Sequence, residues 1–293
     1  MQNIELKNIK SKTIAAIDYS SQIFTYTHHI TFHGFPLLLQ TNSEKMSKLI
    51  KRIIPKLWQK STTKNDRLII LSLFSNEEFG IEDHQWTDEP EQDCYFESEL
   101  IFQRDFVAKR INNNYTIVTS QNETDGLHNF LRMIIPKLLF KDNRYILHSS
   151  CVLNRKNEAL IFLGHSGHGK TTICELSGER KILNDDMNII CMNTFLISSA
   201  ALGHQYCNIE SYDANYPIKA IYWLHQSEKN SIEPLNIELA SLKILSSMTN
   251  IFDNDELRES HPQIISDSIK IAKNIPANIL NFKKDQSVWA LLD

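Results

Sequence analysis

The chain has 293 residues, of which 42% are hydrophobic and 23% charged, and it carries a net charge of -4 with a pI near 6.3. That composition fits a globular protein of one large or two ordinary domains, and the acidic balance excludes a general nucleic-acid binder. No apolar run reaches the ~18–20 residues that cross a bilayer, and Met1 to Lys7 lacks the apolar core of a secretion signal, so no membrane partner is expected and the cytoplasm is the expected compartment.

Along the chain, residues 35–40 form an apolar run that predicts a strand. Residues 43–60 place Met46, Leu49, Ile50, Ile53, Ile54 and Leu57 at helical spacing, and residues 67–74 predict a strongly apolar strand. The acidic stretch 82–93, with Pro90, predicts a surface loop. Strands follow over 94–110 and 115–119, joined by a turn at Asn112-Asn113-Asn114. Residues 124–141 predict a second helix, with Leu127, Phe130, Leu131, Ile134, Ile135 and Leu138 on its apolar side. Strands and helices then alternate: strands at 145–153 and 159–163, a helix at 171–176, strands at 181–183, 187–191 and 217–224, helices at 237–248 and 262–275, and a last strand at 277–282. The expected organisation is an N-terminal mixed α/β domain over residues 1–123 and a second domain over 124–293.

The second part holds the most informative segment. Gly164-His165-Ser166-Gly167-His168-Gly169-Lys170-Thr171 is a complete G-x-x-x-x-G-K-[ST] phosphate loop, and it takes three of the 8 glycines in the chain. Glycine lets successive backbone N–H groups converge on phosphate oxygens. Lys170 is expected to neutralise the β- and γ-phosphates, and Thr171 to ligate Mg²⁺ through its hydroxyl. An apolar strand before the loop and a helix after it supply the required context. A nucleoside triphosphate, ATP, with Mg²⁺ is therefore the expected ligand, held by Gly164 to Thr172.

Three further features surround the loop. Asp185-Asp186 follows it by one short helix and one short strand, which puts two carboxylates at the end of a strand expected beside the loop strand. One can serve the metal and the other can take a proton from an attacking hydroxyl; a solvated acidic turn is the plain alternative. His148, on the preceding strand, reads equally as a core histidine or as a partner that orients the catalytic Asp. His165 and His168 lie within the loop, where solvated positions are a simpler reading than a metal site. The 5 cysteines, Cys94, Cys151, Cys174, Cys191 and Cys207, contain no C-x-x-C pair, which argues against a disulfide framework or a zinc knuckle. Thr63-Lys64-Asn65-Asp66 matches a guanine-reading signature but precedes the loop, the reverse of the GTPase order, and reads as a surface turn.

The order Leu147-His148-Ser149-Ser150, Gly164 to Thr172, then Leu183-Asn184-Asp185-Asp186 resembles the core of the HPr kinase/phosphorylase-like family, in its diverged serine-kinase branch. Residues 217–224 and 232–235 resemble the segment after that core, so the resemblance covers roughly residues 124–293. It implies an α/β phosphate-loop kinase core like the nucleotide domain of phosphoenolpyruvate carboxykinase. It also implies transfer of the γ-phosphoryl group of ATP to a serine hydroxyl of a peptide or small protein. Carried over by position, Asp185 is the general base, His148 supports Asp185, Asp186 sits at the metal with Thr171, and Lys170 acts on the phosphates. The R-G-x-G-I-I-N segment of true HPr kinases is missing; residues 200–216 occupy its place, and Glu210 stands there as the candidate second acidic ligand. Two alternatives stay open: a nucleotide-responsive binding protein without transfer, and a kinase of a small hydroxyl compound such as free serine. The N-terminal part is expected to hold or select the acceptor, and the oligomeric state, a homo-oligomer included, is not readable.

Overall fold

The computed structural model describes residues 2–17, 22–54, 58, 68–86, 95–201, 206, 214–248 and 260–293. The chain divides into two compact units, Met1–Ile134 and Ile135–Asp293. The first comprises α1 (Gln2–Ala15), β1 (Tyr26–Phe32), β2 (Phe35–Thr41), α2 (Glu44–Ile53), β3 (Ile69–Ser75), α3 (Asp83–Trp86), β4 (Tyr95–Glu97), β5 (Leu100–Gln103), β6 (Phe106–Ile111), β7 (Asn114–Thr119) and the start of α4 (Asp125–Phe140). Its seven-stranded sheet has the order β1-β2-β3-β7-β6-β5-β4. Only β2, β3 and β7 run parallel; the flanking pairs are antiparallel.

Local chemistry accounts for these elements. Ser43 caps α2 through the Met46 N–H. The helix ends at Ile53 because Pro55 forces Ile54 to an extended conformation, so it is shorter than its apolar spacing suggests. The expected single strand over 94–110 is three strands, since Ser98 takes a left-handed φ of 56° and residues 104–105 turn the chain again. The turn after β6 falls where the Asn run predicts it, with Asn112 at φ 55°. Ile14, Ile17, Phe74, Trp86, Phe102, Val107 and Val118 form one core of this unit.

The second unit continues with β8 (Arg144–Leu153), β9 (Ala159–Leu163), α5 (Lys170–Glu175), β10 (Ile182–Asn184), β11 (Met187–Cys191), β12 (Leu196–Ser199), β13 (Tyr216–Gln226), β14 (Ser231–Pro234), α6 (Ile237–Ser247), α7 (His261–Asn274), β15 (Ala277–Phe282) and α8 (Trp289–Leu292). Its sheet is also mixed. β9, β13 and β15 are parallel neighbours, in the order β9-β13-β15. β8 pairs antiparallel with β9 along one half and with β11 along the other, and β11-β12-β13 closes the circuit back to β9. The strand before the acidic pair, β10, pairs with β8, so β8 stands between it and the loop strand β9. This corrects the expectation that the two strands are neighbours.

Both faces of this sheet are covered. Ala159, Ile161 and Leu163 of β9 enter a core with Ile244 of α6 and Ile264 and Ile271 of α7. Leu160 and Phe162 enter a second core with Ile173 and Cys174 of α5 and Trp289 of α8. A strand buried on both faces must be apolar at every position rather than at alternate ones, which is why β9 reads as an unbroken run. Among the described residues, no helix is long and apolar enough to cross a membrane.

Candidate active site at the phosphate loop

The loop leaves β9 at the carboxyl end of the parallel strands, where open α/β sheets place their ligands. Gly167 (φ 79°) and Gly169 (φ 104°) adopt left-handed backbone that residues with a Cβ rarely accept. Gly169 has a second constraint: a Cβ there would lie 2.6 Å from Cζ of Phe282, at the end of β15. Two bonds pin the loop to the end of β13. Gln226 Nε2 donates to the Gly167 carbonyl at 2.9 Å, and His168 Nδ1 lies 3.2 Å from the Leu224 carbonyl.

Lys170 opens α5 and folds back over the loop, donating to the carbonyls of Gly164 (2.7 Å) and His165 (3.2 Å). Burial pushes its amine below the ordinary lysine pKa, against the opposing pull of the Asp186 charge.

The acidic pair arises from a break in strand pairing. β10 and β11 both pair with β8, with a β-bulge at Ile182/Asn184, and Asp185 and Asp186 lie between the two strands, where the Asp186 carbonyl accepts from the Ser149 N–H at 2.9 Å. Asn184 builds the turn: its Oδ1 accepts from the N–H groups of Asp186 (2.9 Å) and Met187 (3.0 Å), and its Nδ2 donates to Ser199 Oγ. Asn188, fully buried, donates to the carbonyl of Ser149 at 2.7 Å. Asp185 is 3% exposed, and its charge, after burial, helps raise the Cys174 thiol beneath α5 to about 12. Asp186 is more open and lies 3.1 Å, Oδ1 to Nε2, from His148. The resemblance pairs His148 with Asp185; in the structure His148 stands within hydrogen-bond distance of Asp186.

These groups share one cavity of about 340 Å³, lined by His148, by Ser166, Gly167 and Gly169 to Thr172 of the loop, and by Asp185, Asp186, Gln226 and Lys284. That volume lies in the range of small-molecule sites. His165 and His168 stand outside the lining: their rings lie 5.2 Å and 6.3 Å from that of Trp223, over which Lys243 Nζ sits at 3.9 Å. Of the expected site residues, the cavity gathers His148, Ser166, Gly167, Gly169, Lys170, Thr171, Thr172, Asp185 and Asp186. Glu210, Thr63 to Asp66, Cys94 and Cys207 lie outside the described residues. Gln226 and Lys284 are the additions to the lining, and Asn184, which holds the turn of the acids, is an addition behind it and carries the one local signal, its place beside them.

The residues fit a magnesium ion by the nature of their donors. The Thr171 hydroxyl and two carboxylates face one cavity, all hard oxygen ligands. Among the described residues no group of three or more His, Cys, Asp and Glu gathers around a point. A cation held here would thus complete its shell with water and phosphate oxygens, as Mg²⁺ does.

No curated protein matches the chain. Residues 128–293, more than half of the chain and the part that contains the whole cavity, match a family described as SynChlorMet cassette protein ScmC; the chain belongs to that family.

Proposed function

We propose that the protein is an ATP- and Mg²⁺-dependent kinase that transfers the γ-phosphoryl group to a serine hydroxyl of a peptide or small protein. The observation that carries this reading is the convergence of a phosphate loop and a carboxylate–imidazole pair, Asp186 and His148, on one cavity. A site that only senses nucleotide has no use for a proton acceptor beside the phosphates. The serine acceptor and the α/β kinase core rest on the resemblance to the HPr kinase/phosphorylase-like family.

In the reaction, the acceptor oxygen forms a bond to the γ-phosphorus while the bond from that phosphorus to the bridging β–γ oxygen breaks, and ADP leaves with the electron pair. The hydroxyl proton passes to a carboxylate of the pair. The family resemblance gives that role to Asp185. The geometry favours Asp186, because it is the more accessible acid and His148 lies against it. Asp185, buried in the lining, would then hold Mg²⁺ together with Thr171. Lys170 offsets charge on the transferring group and the loop amides hold the chain of phosphates. When bound, Mg²⁺ supplies charge neutralisation between the β- and γ-phosphates.

The test is intact-mass analysis of serine-containing peptides incubated with Mg-ATP and the wild-type, Asp185→Asn and Asp186→Asn proteins. A gain of about 80 Da, one phosphoryl group, is expected with the wild type. Asp186→Asn should bind Mg-ATP and transfer ~10²–10⁴-fold more slowly, whereas Asp185→Asn should lose Mg²⁺ dependence of nucleotide binding. The opposite assignment of defects would restore Asp185 as the base. Absence of any gain, with nucleotide binding intact, would favour a small-molecule acceptor or a nucleotide sensor.

A further inference from the structure

We infer that Lys284 is a second phosphate-gripping cation of this site, an assignment that rests on the nucleotide reading above. Lys284 follows β15, well over a hundred residues after the loop, yet it lines the same cavity as Lys170. Its position follows from the sheet: β9, β13 and β15 run parallel, so the segments after all three open at one end. The loop follows β9, Gln226 ends β13, and Lys284 follows β15.

The segment around Lys284 is held in place from both sides. Phe282 packs where a Cβ of Gly169 would sit, so the end of β15 is keyed to the loop. The Lys283 N–H donates to Asn230 Oδ1 at 2.7 Å, and Asp285 caps the 3₁₀ turn Gln286–Val288 through the Ser287 N–H. The two neighbouring lysines are treated differently. Lys283 forms an ion pair with Asp285 at 3.1 Å and is absent from the cavity lining. Lys284 faces the cavity and has no hydrogen-bond or ion-pair partner among the described residues.

Charge gives this free amine a purpose. The cavity already holds two carboxylates, one lysine and a histidine. A nucleoside triphosphate with one Mg²⁺ brings a net negative charge, and Lys170 alone faces both it and the acidic pair. A second ammonium in the cavity lining balances the polyphosphate without competing for the loop carbonyls that hold Lys170. The ligand class is therefore the polyphosphate chain, and the nucleobase plays no part in this contact.

The experiment measures binding of Mg-ATP, and separately of inorganic tripolyphosphate with Mg²⁺, by calorimetry at two salt concentrations. The full chain is compared with Lys284→Met, Lys284→Arg, Lys283→Met and Lys170→Met. Lys284→Met is expected to weaken both ligands about 10- to 100-fold, the worth of one charge-assisted hydrogen bond. It should also reduce the salt dependence of the affinity, while Lys284→Arg recovers most of the loss and Lys283→Met behaves as wild type. Wild-type affinity in Lys284→Met, with binding lost in Lys170→Met, would overturn the role of Lys284 and leave the phosphate loop standing. Failure of the wild-type chain to bind either ligand would overturn the site and this assignment together.

Discussion

The two units use the same sheet grammar and finish it differently. Each has three neighbouring parallel strands, β2-β3-β7 in the first and β9-β13-β15 in the second, with antiparallel strands attached. In each, the carboxyl ends of those strands deliver polar side chains to one place. In the first unit these groups satisfy one another. Ser43 donates to Gln121 Oε1 (2.5 Å), Gln121 donates to Glu77 (2.6 Å), and Asn122 bridges Glu77 and Asp83. In the second unit the equivalent place keeps a cavity, lined by the acidic pair and by Lys284 among others. Topology supplies the location in both.

The comparison breaks most sharply at Gly169. Gly169→Ala forces a Cβ into a left-handed position and against Phe282. The loop must shift, and loss of measurable Mg-ATP binding is expected, together with ~1–3 kcal/mol of stability. Phe282→Leu in the same background should recover stability and only part of the binding, because the φ strain remains. Unimpaired binding in Gly169→Ala would mean that the loop does not hold phosphate in this shape. A smaller effect is expected at Asn184. Asn184→Ala frees the N–H groups of Asp186 and Met187 in a buried turn, costing ~1–3 kcal/mol. If the turn aims the acids, turnover should fall more than nucleotide affinity, a split that steady-state kinetics reads directly.

What the sequence discloses follows the range of the forces involved. The phosphate loop and the acidic pair are local motifs, and β9 is apolar throughout because both of its faces are covered, so all three are legible. Helix α1 is not, because its buried side includes Lys10 and Thr13, and no apolar stripe results. Lys10 is buried by donating to the carbonyls of Gln103 and Arg104 at 2.8 and 2.7 Å, partners that only the fold provides. The edge strand β1 escapes for a similar reason: Thr27, His28 and His29 carry no strand-like apolar alternation. Gln226 and Lys284 reach the cavity through the order of β9, β13 and β15, and sheet order is not written in any local pattern. The contact of His148 with Asp186 depends on how β10 and β11 both pair with β8, which residue spacing does not encode.

In the first unit, Gly126 supplies the matched control for Gly169. A Cβ there would lie 1.7 Å from Thr119 Oγ1 and 2.7 Å from the Asp105 carbonyl, so α4 and β7 approach too closely for any other residue. Gly126→Ala should therefore lower stability by ~1–3 kcal/mol from overpacking and leave Mg-ATP affinity untouched. Thermal unfolding and calorimetry on the same sample distinguish this from Gly169→Ala. Weakened nucleotide binding in Gly126→Ala would show that the phosphate site depends on the first unit.

The smallest effect concerns a carboxylate of the first unit's polar cluster. Burial alone would raise the pKa of Asp83, but hydrogen bonds from Asn122, Asn76 and Ser120, with the charge of Lys45, hold it below the ordinary value of 3.8. A depressed folded-state pKa means that the unfolded chain binds the proton more readily. The contribution is then complete above the unfolded pKa and is lost as pH falls through the lower, folded one. Asp83→Asn should consequently lower stability at pH 7 and flatten its decline below about pH 4, the two proteins converging as the wild-type carboxyl protonates. Urea unfolding at a series of pH values measures this, and an unchanged acid slope in Asp83→Asn would mean that these amides hold the side chain in place without stabilising its charge.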